Sequence, residues 1–163
     1  MKYYIGFDPG KTGACAIIHN GLVLSVFPFP LAGKKIDGYA LVDKILDVIP
    51  IVEEQPNYHM VACTEKVSAM PNWGVSSTFN FGYSSGLLYG ICAGIGVAIH
   101  TVAPKAWKKF VLKDTDMSKE ATIEWCRKAY PNTWLMATPR SKKPHTGMAD
   151  AIGIATYAYM MNL

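Results

Sequence analysis

The segment Tyr4–Ile18, "YIGFDPGKTGACAII", decides the fold. Lys2–Phe7 is an apolar run that stops at Asp8-Pro9-Gly10, which reads as a buried strand entering a turn; Gly13–His19 reads as the strand that leaves it. The "GKTG" within it invites comparison with a phosphate-binding loop, but the spacing is wrong. A Walker A loop has the form G-x-x-x-x-G-K-[ST], and only Phe7, Asp8 and Pro9 separate Gly6 from Gly10. The turn also leads into a strand, not into a helix whose N-terminus would hold phosphate. The informative residue is therefore Asp8, a carboxylate at the end of a buried strand.

Working outward, Asn20-Gly21 is a strong two-residue hairpin signal, and Leu22–Phe29 follows as a third strand. Pro28, Pro30 and Gly33 break the pattern before Tyr39–Ile49, where Leu41, Val42, Ile45, Leu46 and Ile49 recur at helical spacing. Tyr58–Thr64 is a short apolar strand that runs directly into Glu65. A strand, helix, strand order predicts that this fourth strand lies parallel to the first. Residues 71–97 read as a long helix with glycines at close contacts, Val97–Val102 as a fifth strand, and Pro104–Leu112 and Ser118–Ala129 as two further helices. Pro131–His145 reads as a basic loop, and Gly147–Met161 as a final apolar helix whose one charge is Asp150. The expected fold is a single α/β domain over residues 1–163, a five-stranded mixed sheet flanked by helices. Strands one to three are antiparallel, and four and five run parallel to strand one.

The chain has 163 residues, a net charge of +4 and 17% charged residues, which suits a globular protein and excludes a disordered one. The charge is uneven: residues 1–100 carry 6 Lys+Arg against 7 Asp+Glu, and residues 101–163 carry 10 against 5. A basic C-terminal region points to a polyanionic partner, although Lys-rich surfaces also serve solubility. Cys15, Cys63, Cys92 and Cys126 stand singly, without zinc-ligand spacing, as expected of a reduced, cytoplasmic protein. With no secretory h-region and no apolar run of about 18 residues, neither secretion nor a membrane span is expected.

Three carboxylates stand out because each sits in or beside an apolar run. Asp8 ends strand one, Glu65 ends strand four and Asp150 opens the last helix. Each has an ordinary explanation: Asp8 as a turn former, Asp150 in the first turn of a helix, Glu65 paired with a base such as Lys66. Parallel strands one and four, however, end at the same sheet edge, where open α/β sheets bind ligands. A helix carrying Asp150 across that edge would complete a three-carboxylate cluster. Such a cluster calls for hard divalent cations, Mg²⁺ or Mn²⁺. Two such ions about 3.5–4 Å apart support phosphodiester cleavage.

The ordered set "IGFDPGKTGACAI", "CTEKV", "TVAPKAWKKF", "SKEAT" and "HTGMADAIGIATYAY" resembles the RuvC-type Holliday junction resolvases of the RNase H-like superfamily, in a phage-like variant. The resemblance implies an RNase H-like fold and a homodimer that binds four-way or other branched DNA and cleaves it with Mg²⁺ or Mn²⁺. No nucleotide cofactor is implied. By position, Asp8, Glu65 and Asp150 are similar to the family's catalytic, metal-binding acids. Lys119 matches a lysine that stabilises phosphate charge; Lys108 falls where the family carries a lysine shortly after the Pro that follows strand five, and Lys108 and Lys109 are expected to bind DNA. Arg140, Lys142 and Lys143, clustered before the last helix, are expected to contact DNA backbone.

Two departures stand out. The family carries a fourth acidic or His ligand about one turn before the last Asp, where this chain has Thr146, preceded by His145. An i, i+4 spacing puts Thr146 and Asp150 on one helix face, but a hydroxyl is a poor substitute for a carboxylate. His145 either turns into the site or remains a surface residue. After Glu65, Met70 and Trp73 stand where the family has an aromatic wedge; Trp73 is a candidate to insert at a junction, or packs at a dimer contact or in the core. A single ATPase domain of the sugar kinase, actin and heat-shock type is disfavoured, because such proteins need two domains to close on ATP. An RNase H-like nuclease acting on RNA or other branched DNA, and a catalytically weakened junction-binding protein, remain as alternatives.

Overall fold

The computed structural model describes residues 2–10, 12–49, 59–66, 68 and 74–163. Lys11, Met70 and Trp73 lie outside the described residues, and so does the start of the expected helix over 71–97. Strands β1 (Lys2–Asp8), β2 (Ala14–His19) and β3 (Leu22–Pro28) form an antiparallel meander. A two-stranded ladder follows, β4 (Leu31–Ala32) with β5 (Lys35–Ile36). In the sequence, Pro28, Pro30 and Gly33 mark this stretch only as a break, because two-residue strands around a glycine leave no periodic signal. Helix α1 (Gly38–Val48) begins at Asp37, whose side chain accepts the Ala40 N–H at 3.1 Å.

Strand β6 (His59–Glu65), helix α2 (Val75–Gly94) and strand β7 (Ala98–Val102) complete the sheet in the order β3-β2-β1-β6-β7, with β6 parallel to both β1 and β7. This is the expected five-stranded mixed sheet. The register pairs Phe7 with Thr64 and Glu65 with Val102, so Asp8 and Glu65 end neighbouring parallel strands.

Strand alternation assigns the two faces. Tyr3, Ile5 and Phe7 pack with Leu41, Ile45 and Leu88 of α1 and α2. Tyr4, Val61 and Cys63 pack on the other face, under α5 (Thr146–Met160), with Trp107 of α3 (Pro104–Val111) and Cys126 of α4 (Lys119–Ala129). A period of two then places Asp8 with Tyr4, and Glu65 with Val61 and Cys63, on the α5 side.

Helix α5 lies directly on β1. A Cβ at Gly6 would strike the Ala151 carbonyl and lie 2.5 Å from the Ala155 nitrogen, so only glycine admits this approach. Helices α3 and α4 cover α5 from outside, which is why its residues are apolar nearly all round. The Tyr130 and Thr156 hydroxyls, 2.9 Å apart, tie the end of α4 to α5. All four cysteines are buried with free thiols. Among the described residues, no helix is long and apolar enough to cross a membrane.

Candidate active site

Asp8, Glu65 and Asp150, delivered by β1, β6 and the first turns of α5, lie near enough at one edge of the sheet for the charges of Glu65 and Asp150 to reach Asp8. Burial raises the Asp8 carboxyl well above the usual carboxylate range, and the charges of Asp150 and Glu65 push it further. Burial also raises Glu65, opposed by a hydrogen bond from Trp107, with Asp150 adding to the rise. Asp150 is raised by burial against the pull of Lys108, the Thr122 hydroxyl and Lys119. Lys108 and Lys119 are thus the cations that offset the cluster, one from each of α3 and α4.

Sequence reasoning missed Trp107. Its side chain is fully buried, the ring lies against Gly153 of α5, and Nε1 donates to Glu65 Oε1 at 2.6 Å. The same indole lies 5.4 Å beneath the Lys108 ammonium. One residue therefore orients an acid and a cation of the site. The available signal was a tryptophan between lysines in "KAWKKF", which by itself reads as the core side of an amphipathic helix.

The start of α5 corrects the reading of its first turn. His145 is the N-cap, and Thr146 is the first helical residue, bordering a groove with Glu120, Ile123, Glu124 and Arg127 of α4. Gly147 faces Asp8 instead: a Cβ there would lie 2.8 Å from Asp8 Oδ2. Thr146 and Asp150 share a helical spacing, but the residue directed at the neighbouring carboxylate is one position later. His145 Nδ1 accepts the Met148 N–H at 3.1 Å, and burial lowers the imidazole pKa.

Lys109 is exposed on α3, and Arg140, Lys142 and Lys143 are exposed on the loop before α5. Lys143 lines the same groove as Thr146, on the outer side of α4.

The donor set is oxygen-only, which suits a hard divalent cation. Asp150 Oδ1 is buried and has no hydrogen-bond partner among the described residues, as an oxygen reserved for an ion would be. Among the described residues, no three His, Cys, Asp or Glu side chains converge closely enough to enclose an ion in this arrangement. Glu65 is drawn toward Trp107, whose Nε1 donates to it.

The architecture is an RNase H-like α/β fold, the class expected from the sequence. Thermus thermophilus RuvC, solved with a Holliday junction substrate, shares it at a TM-score of 0.60 and 14% identity, over 98% of this chain and 96% of that one. A second T. thermophilus RuvC structure matches at 0.58 and 17%, again over 98% and 96%. The yeast mitochondrial Holliday junction resolvase Ydc2 matches at 0.51 and 15%, over 94% of this chain and 75% of that one. No protein-family model and no curated protein sequence matches the chain.

Proposed function

We propose that this chain is a RuvC-type nuclease that resolves four-way DNA junctions by metal-dependent phosphodiester hydrolysis. The observation that carries the reading is the meeting of Asp8, Glu65 and Asp150 at the C-terminal edge of β1 and β6, with Lys108 and Lys119 beside them. The fold supports it, since solved neighbours include a resolvase and a RuvC bound to a Holliday junction.

In this reading Asp8, Glu65 and Asp150 hold Mg²⁺ or Mn²⁺, two ions in the active complex. Such ions supply activation of water and charge stabilisation at the leaving oxygen. Trp107 fixes the direction of Glu65 and lowers its carboxyl pKa against the larger upward push of burial. Lys108 and Lys119 draw the phosphate toward the acids, which repel it. Lys109, Arg140, Lys142 and Lys143 extend the basic surface along the DNA backbone.

The active form is a homodimer. Helix α2 carries no charged residue, yet exposes Val75 at 88% and Phe79 at 68%. Gly82, Gly86 and Gly90 follow at four-residue spacing with open space beyond each. A second copy packed on this face would bury an apolar strip and present two sites to one junction.

A weakened, junction-binding protein is the second reading, favoured by the absence of a carboxylate at Thr146 and Gly147. Cleavage of a four-way junction, a linear duplex and an RNA–DNA hybrid of matched sequence, each with Mg²⁺, separates the readings. Preference for the junction is expected. Equal cleavage of the linear duplex or of the hybrid would overturn junction resolution, and junction binding without any cleavage would favour the second reading.

A further inference from the structure

Two observations at the start of α5 define what the fourth side of the site can do. A Cβ at Gly147 would lie 2.5 Å from the Thr12 carbonyl oxygen and 2.8 Å from Asp8 Oδ2. The place that faces Asp8 from α5 is therefore closed to any side chain, and no ligand can be supplied there. The same point lies 3.1 Å from Cε1 of His145, so the edge of the imidazole borders the Asp8 carboxylate across Gly147.

That ring is already committed through one nitrogen. Nδ1 accepts the Met148 backbone N–H at 3.1 Å and closes the N-cap of α5. A backbone amide only donates, so Nδ1 carries the lone pair, and the ring proton sits on Nε2. Nε2, the other nitrogen bonded to Cε1, then has a hydrogen to give and no lone pair for a cation.

We propose that His145 is a hydrogen-bond donor of the site and not a metal ligand: its Nε2–H engages a non-bridging oxygen of the phosphodiester bound beside Asp8. The inference rests on the reading of the site as a phosphodiester-binding centre. No proton changes hands; the bond stabilises charge that builds on the phosphate oxygens, and the cap holds the ring in the required tautomer before substrate arrives. A ligand through Nε2 would need the opposite tautomer and would break the cap.

The tautomer is read by ¹⁵N NMR of His145 in the intact chain with Mg²⁺ added. The proposal expects a protonated Nε2 and an unprotonated Nδ1, and a shift of the Nε2–H proton when a four-way junction is added without divalent metal. A proton on Nδ1 in the Mg²⁺-loaded protein would overturn it, as would an Nε2–H signal indifferent to DNA that binds.

His145→Ser keeps a good N-cap and removes the ring N–H, its short hydroxyl being used at the cap. By calorimetry its Mn²⁺ affinity should stay within about twofold of the parent, while junction cleavage falls by about 10²-fold, as for loss of one oxyanion donor. A tenfold or greater loss of Mn²⁺ affinity, or unchanged cleavage, would refute the assignment. The NMR and Mn²⁺ measurements need no turnover, so a wild-type chain that cleaves nothing would defeat the nuclease reading and still leave the His145 assignment decided by them.

Discussion

Replacing Trp107 by Phe removes the indole N–H from Glu65 while leaving an aromatic ring to pack against Gly153. A hydrogen bond to a charged acceptor is worth about 1.5–3 kcal/mol and one to a neutral acceptor about 0.5–1.5 kcal/mol. Because the contact is 2.6 Å long and the indole is buried, water does not readily replace the lost donor. The smaller ring adds a packing loss of about 1 kcal/mol, by analogy with the removal of a few buried atoms.

The total at pH 8, with Glu65 ionised, is therefore about 3 kcal/mol. The pH dependence has a definite sign. Trp107 lowers the Glu65 pKa, against a larger upward push from burial, so the variant raises that pKa further. Its cost is greatest where the carboxylate is ionised and shrinks by about 1 kcal/mol as pH falls and Glu65 protonates, the difference between a charged and a neutral acceptor. Urea unfolding of both proteins at pH 8 and pH 4 measures this. A destabilisation that is the same at both values would refute the claim that Trp107 acts on the Glu65 charge.

Other consequences follow from the same geometry. In Asp8, whose folded pKa is raised, the folded state loses stability as pH rises from the ordinary carboxylate value through the folded one; Asp8→Asn should therefore melt higher than the parent at pH 7, with the gap closing toward pH 4, at about 2–4 °C per kcal/mol by calorimetry. Gly147→Ala should cost about 1–3 kcal/mol in urea unfolding, since its methyl group meets the Thr12 carbonyl and the Asp8 carboxylate. Replacing Arg140, Lys142 and Lys143 together by Ala should flatten the slope of log binding constant against log salt by up to about 2.7 on duplex arms; an unchanged slope would remove them from the DNA surface. Gly86→Leu, which places a bulky group on the open face of α2, should convert dimer to monomer in sedimentation, with the fold retained by circular dichroism.

The sheet and its polarity were legible because β1 and β6 are short apolar runs that end in carboxylates, and because a helix between them dictates a parallel pair. Asp8, Glu65 and Asp150 could be chosen for the same reason: charge at the end of an apolar run is conspicuous. Lys108 and Lys119, which the resemblance singled out, carry charge that reaches those acids. What stayed hidden depends on contacts between residues distant in the chain. Trp107 reaches Glu65 across 42 positions, and nothing in "KAWKKF" names its partner. Gly147 is invisible because a glycine advertises no chemistry; its role is known only once α5 starts at His145 and the helical phase is set. The family pattern and an i, i+4 spacing pointed to Thr146, whereas the position that faces Asp8 is Gly147.

In the proposed reaction the three acids perform the cleavage and do not merely sit beside bound DNA. The direct measurement is single-turnover cleavage of a four-way junction by the parent and by Asp8→Asn in Mg²⁺, with junction affinity determined on the same samples. The parent should cleave, and Asp8→Asn should bind as tightly or more tightly while losing cleavage by at least about 10³-fold, since one acid of the site is gone. Retained cleavage in Asp8→Asn, or loss of cleavage only in step with loss of binding, would contradict the account.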